Sequence, residues 1–176
     1  MSFTQEIDIY LRSRFTLIGI VSFEEERILQ QLKTLCEQSK RALYIWDHAD
    51  FFQPLSSVSP AAPAAKDPLS VLAAIDKLEG EAVVILRDFH QCWQGQPRII
   101  RKLRNLAQKL KYTRKTMVVT MPVTKIPEEL KDDMVLLEFP LPGMPELSDI
   151  LQRLTATPGV KVNLTTQGRE KIVRAA

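Results

Sequence analysis

Five apolar runs punctuate the chain, and between them hydrophobic positions recur every three to four residues. The densest run is Ala82-Val83-Val84-Ile85-Leu86, followed by Arg87-Asp88-Phe89-His90. A continuous, β-branched run of this kind predicts a strand buried on both faces. Residues 15–21, 41–47, 116–121 and 134–139 predict four more strands. The intervening segments read as amphipathic helices. Ser2 and Gln5 make a capping box ahead of Ile7, Tyr10 and Leu11, and Ser22 and Glu25 make another ahead of Ile28, Leu29, Leu32, Leu35 and Cys36. Asp67-Pro68 caps a third helix with Leu69, Leu72, Ala73 and Leu78 on one stripe, and Gly80 stops it. Pro97 opens a helix with Ile99, Leu103, Leu106 and Leu110 turned inward. Pro145 opens another, and Thr165-Thr166 caps the last.

Strands alternating with helices predict an α/β fold of three layers. A five-stranded, mostly parallel sheet lies between helices, joined by right-handed crossovers. Residues 53–66 are rich in Pro, Ala and Ser without periodicity and read as a flexible loop inside this domain. The α/β domain is expected over 1–142 and a small α-helical appendix over 143–176. The final helix carries no stop signal, so the chain is expected to be cut from a longer protein.

With 176 residues, 26% of them charged, the chain can bury a substantial core. No apolar run approaches the ~20 residues of a membrane-spanning helix, and no secretory signal opens the chain. Cys36 and Cys92 fit neither a disulfide framework nor a metal motif, which suits a reducing compartment. The net charge of +3 is uninformative, but its distribution is not. Between Phe89 and Pro127 nine Lys and Arg face no Asp or Glu. Arg98, Arg101, Lys102 and Arg104 head this run.

Asp88 ends the central strand, where in parallel sheets ligands sit and where an acid can hold Mg²⁺. The other parts of such a site are missing. A P-loop needs a Gly-rich turn, a Lys and a Ser/Thr after the first strand. The turn here is Ser22-Phe23-Glu24-Glu25-Glu26-Arg27, with no Gly and no Lys. Its acids complement the helix dipole and repel phosphate from the same spot. Asp47, His48 and Asp50 read as a loop rather than a metal site. Trp93 is expected to be more exposed than Trp46, and is either a contact anchor or packed over the sheet edge.

The ordered set Ser22-Phe23-Glu24-Glu25-Glu26-Arg27, Tyr44-Ile45-Trp46-Asp47, Asp67-Pro68-Leu69, Leu86-Arg87-Asp88-Phe89-His90, Arg101-Lys102-Leu103-Arg104-Asn105-Leu106, Ile126-Pro127-Glu128-Glu129-Leu130 and Phe139-Pro140-Leu141-Pro142 carries a resemblance. It resembles the N-terminal region of the AAA-type ATPase of cyanobacteria and red-algal plastids, the hypothetical chloroplast reading frame forty-six family. The resemblance implies a degenerate P-loop/AAA-like sheet of order 5-1-4-3-2, counting strands along the chain, and the start of a helical lid. It implies that ATP and Mg belong to a second AAA domain further along, with no cofactor in this portion. It also implies a role in photosynthesis and inorganic-carbon use, in the cyanobacterial cytosol or plastid stroma. Asp88 stands where the family's Walker-B acid would, and Phe89 where its activating Glu would.

A non-catalytic module is therefore expected, serving assembly into a homo-oligomer, partner binding or regulation of its own C-terminal AAA domain. A second reading is non-standard binding of a nucleotide or small anion at Asp88, His90, Arg101 and Arg104. A third is nucleic-acid binding through the basic helix 98–115. Half of that helix turns inward and no aromatic platform accompanies its charges, which argues against nucleic acid.

Overall fold

The computed structural model describes residues 2–156, 163 and 165–175. It divides into two units, residues 1–139 and 140–176. The first opens with α1 (Phe3–Arg12), capped by Ser2 and Gln5 as their spacing predicts. Then come β1 (Leu17–Val21), α2 (Glu25–Ser39), β2 (Ala42–Asp47), β3 (Phe51–Pro54), α3 (Pro68–Lys77) and β4 (Ala82–Arg87). A 3₁₀ turn at Phe89–Gln91, α4 (Pro97–Leu110), β5 (Lys115–Met121), a second 3₁₀ turn at Glu128–Leu130 and β6 (Val135–Glu138) complete it.

The sheet runs β3-β2-β4-β5-β1-β6. Counting only the five parallel strands along the chain, that is the expected order 5-1-4-3-2. The sheet nevertheless has six strands rather than five, because β3 folds back antiparallel on β2, Asp47 opposite Phe51. Gln53 and Pro54, assigned by sequence to the loop 53–66, are part of this strand. Beyond it, Leu55 N donates to Leu43 O at 2.8 Å. The Ser59 hydroxyl accepts from Leu43 N and donates to Leu43 O, both at 2.8 Å. Ala65 O receives the indole N–H of Trp46 at 3.1 Å.

Two apolar layers cover the sheet. One gathers α3, α4, Trp46, Phe89 and Trp93 on one face; the other gathers α1 and α2 with Ile18, Ile20, Val83 and Ile85 on the opposite face. β4 and β5 are buried along almost their whole length, as their continuous apolar runs require. Gly19 in β1 sits where a Cβ would lie 2.8 Å from Leu136 Cδ2, so only glycine fits the unaltered packing. The capping box expected at Ser22 and Glu25 does not form. Helix α2 starts later, with Glu24 as its N-cap, and Ser22 Oγ instead accepts from Glu24 N at 3.0 Å.

The second unit contains α5 (Met144–Thr155) and α6 (Thr166–Ala175). Thr165 caps α6, its hydroxyl accepting from Gly168 N at 3.1 Å. Between the two helices, residues 157–162 and 164 lie outside the described residues.

Candidate functional site

The C-terminal edge of the sheet is where a parallel α/β fold presents ligand-binding groups. Parallel pairing brings the ends of β2, β4 and β5 side by side, with Trp46 opposite Leu86 and Arg87 opposite Thr120. The first turn of α2 arches over the same edge. This geometry assembles four side chains far apart in sequence. Arg87 Nη2 donates to Glu25 Oε2 at 2.6 Å, and Arg87 Nη1 to Asp47 Oδ2 at 3.3 Å. Thr120 Oγ1 donates to the other Glu25 oxygen at 2.8 Å. Asp47 Oδ1 also accepts from the backbone N–H groups of Ala49 and Asp50. The Glu25 hydrogen bond is the main reason the Arg87 guanidinium holds its proton above the ordinary arginine value, against the pull of burial.

A cation here is thus supplied by the end of β4 and is already bound by two carboxylates of its own chain. Glu24 is likewise taken by Arg27. The guanidinium with its two carboxylates carries net −1, and Asp50 and Asp88 add to it around an open depression of about 410 Å³ lined also by His48 and Gln91. Two like charges 4 Å apart at an effective dielectric of 20 repel by about 4 kcal/mol. A polyphosphate placed at this edge meets acids rather than backbone amides and a lysine.

Asp88 leaves the strand ladder with a left-handed backbone (φ 53°) and opens the first 3₁₀ turn. Its carboxylate is half exposed and lies 3.8 Å from His90 Nδ1. His90 is buried at 4% exposure, and its Nδ1 has no hydrogen-bond partner. Burial lowers its pKa; the Asp88 charge opposes that shift and Lys125 adds to it. Phe89 is fully buried, its ring 5.6 Å from that of Trp46 and 6.2 Å from that of Trp93. The turn that follows β4 therefore points this position into the core, where a carboxylate could not be solvated.

The exposed position expected for Trp93 does not hold. Its side chain is 1% exposed and its indole N–H donates to Lys125 O at 2.9 Å. Phe89, Cys92 and Trp93 are spaced as one helical face, and the 3₁₀ turn rolls that face inward. Arg98 and Arg101 are exposed on α4, and Lys102 is half-buried there. Arg104 is bound by Asp133 at 3.1 Å. Asp88 and His90 are thus neighbours at the sheet edge, while Arg104 has its own acid elsewhere. Sequence reasoning missed Arg87, whose partners lie 62 and 40 residues away.

His48 Nε2 lies 3.1 Å from Cys92 Sγ. Burial, and then Asp88, push the Cys92 thiol up to about 11, so this is not an activated nucleophile. Among the described residues, no three His, Cys, Asp or Glu side chains are placed to hold a metal ion.

The model of the SpoVK-like AAA ATPase N-terminal domain matches residues 3–139. The chain belongs to this family. It is 32% identical to the AAA domain-containing protein ycf46 of Guillardia theta over all of its own length and 34% of the relative's. To the ycf46 protein of Pyropia yezoensis it is 30% identical over 93% of its length and 33% of the relative's. The chain therefore spans about a third of these curated relatives. Among solved structures it resembles a DNA replication initiation factor (TM-score 0.59, 10% identity, 98% of this chain and 53% of that one). It also resembles a chain of the E. coli MS115-1 HORMA:CdnC:Trip13 complex (TM-score 0.57, 12% identity, 97% and 61%). At such identities the likeness is one of fold, a mostly parallel α/β sheet of AAA type. Among the described residues no helix is long and apolar enough to cross a membrane.

Proposed function

We propose that this domain is a non-catalytic AAA-like module at the N-terminal side of an AAA ATPase. It acts in subunit assembly, partner binding or regulation of its own C-terminal AAA domain, where ATP and Mg are bound. The observation that carries this reading is the Glu25–Arg87–Asp47 network. Arg87, the cation at the end of the central strand, is already bound by Glu25 and Asp47, in a net negative setting. The position after Asp88, where the resemblance would place an activating Glu, is a core phenylalanine.

The wider setting follows from the family resemblance. The whole protein works as a homo-oligomer in the cytosol or plastid stroma and regulates photosynthesis and inorganic-carbon use. The present domain contributes contacts rather than turnover.

Titration of this chain with a fluorescent ATP analogue, with and without Mg²⁺, tests the reading. The expected result is no saturable binding up to millimolar nucleotide. Saturable, Mg²⁺-dependent binding that Asp88→Asn abolishes would overturn it.

A further inference from the structure

Helix α4 contains no acid, and its cations and those of the turn after it divide into two groups. Toward the C-terminal end all but Lys111 are matched within the chain. Arg104 pairs with Asp133, Lys109 with Asp76 at 2.7 Å and Arg114 with Glu81, while the buried Lys115 donates to Asp76 O at 3.0 Å. Toward the N-terminal end, Arg98, Arg101 and Lys102 have no carboxylate partner among the described residues. They repel one another at spacings of three and four, at the positive end of the helix dipole, with no acid in the first turn to offset it. The monomer keeps an unfavourable charge arrangement that an external anion would relieve.

The outward stripe does not end with these three. Arg98, Arg101, Lys102, Asn105 and Lys109 recur at helical spacing on one face, opposite the buried Ile99, Leu103, Leu106 and Leu110. The backbone at Lys111 remains right-handed helical, which carries the same face on to Tyr112. Tyr112 is 89% exposed. The stripe from Arg98 to Tyr112 is about 21 Å long at 1.5 Å per residue. Exposure of Tyr112 adds to this face, just past the last apolar residue of the helix, one aromatic ring that the sequence reading did not count.

We propose that the outer face of α4 binds single-stranded nucleic acid, with Arg98, Arg101 and Lys102 on phosphates and Tyr112 stacked on a base. Charge alone would equally suit an acidic protein. The ring favours the nucleic acid, because its face stacks on a base and gains nothing from a carboxylate. An unpaired base is needed for stacking, which selects single strands over duplex.

The test is fluorescence anisotropy of labelled oligo-dT, oligo-rU and a duplex of equal length, titrated with the whole chain across a salt series. Saturable binding of the single strands is expected. The logarithm of the affinity should fall with the logarithm of salt at a slope of about −2, the value for three phosphates on a single strand. Tyr112→Ala should weaken binding about tenfold and leave the slope unchanged. Arg98→Gln/Arg101→Gln/Lys102→Gln should flatten the slope, with an unaltered circular dichroism spectrum. Failure to retain single strands at low salt would overturn the proposal. So would binding that is insensitive to Tyr112→Ala, whether shared with duplex or competed equally by polyglutamate.

Discussion

Arg87 reaches Glu25 across 62 residues of chain, Nη2 to Oε2 at 2.6 Å, and in doing so ties the end of the central strand to the first turn of α2. Both side chains are less than a third exposed. Removing the guanidinium by Arg87→Ala leaves Glu25 and Asp47 without their shared donor. The expected loss is about 1–3 kcal/mol, read from the urea midpoint at an unchanged m-value. Arg87→Lys should recover only part of it, because one ammonium cannot reproduce the fork that spans two carboxylates. Full recovery by Lys would mean that charge, not geometry, holds this edge together.

The buried His90 makes stability depend on acid. Its pKa lies below the ordinary 6.5, chiefly through burial, against the opposing charge of Asp88. As pH falls from 6.5 toward the folded value, the unfolded chain binds a proton that the folded chain does not. Stability should drop across that window and level off below it. His90→Gln should remove this component. Asp88→Asn should depress the imidazole pKa further, as read by an NMR titration of the ring. A His90 that titrates above 6.5 would contradict the burial.

Trp46 and Trp93 are both essentially inaccessible. Native fluorescence should be blue-shifted and poorly quenched by acrylamide. Trp93→Phe should cost about 1–2 kcal/mol, since it keeps apolar bulk but strands the Lys125 carbonyl. Trp93→Ala should cost about 3–5 kcal/mol by opening a cavity beside Phe89.

The two thiols should be silent in the native state. Burial raises Cys36 to about 12 and Cys92 to about 11, so little thiolate exists at neutral pH. A thiol reagent should modify neither until denaturant is added, and then both. Rapid native labelling of Cys92 would show that the His48 side of the pocket opens.

A methyl group in the middle of β1 should be felt across the sheet edge. In Gly19→Ala the new Cβ meets Leu136 at 2.8 Å and Met134 Sδ at 3.1 Å. These are side-chain ends that can yield, so the expected cost is about 1 kcal/mol, and Gly19→Val should cost more. Thermal melts of the two variants check the order.

The five parallel strands were legible because each centres on a short apolar run; near-continuous burial leaves that trace in β1, β2, β4 and β5, while the edge strand β6 is only partly buried. The edge strand β3 was not. It is four residues long, its Phe51 begins at a positive φ, and Pro54 reads as a breaker rather than a strand end. The site was legible as a position, the end of the central strand, and as an absence, the missing Gly-rich turn. The guanidinium that occupies it was not, because no local spacing links Arg87 to Glu25 and Asp47. Trp93 was misplaced for a different reason: its turn looks like a loop, yet Phe89, Cys92 and Trp93 already had the spacing of an inward face.

Strand β3 has a consequence for how molecules of this kind can meet. An uncovered edge of β2 would offer its backbone as a splice point to any foreign strand. Instead β3 pairs with it, Leu55 and Ser59 consume the polar groups of Leu43, and Pro54 brings no N–H to the new rim. A four-residue outer strand with one N–H fewer leaves little backbone for ladder growth from one molecule into the next. Contacts there are left to side chains, which can be exchanged one at a time without unravelling the sheet beneath them.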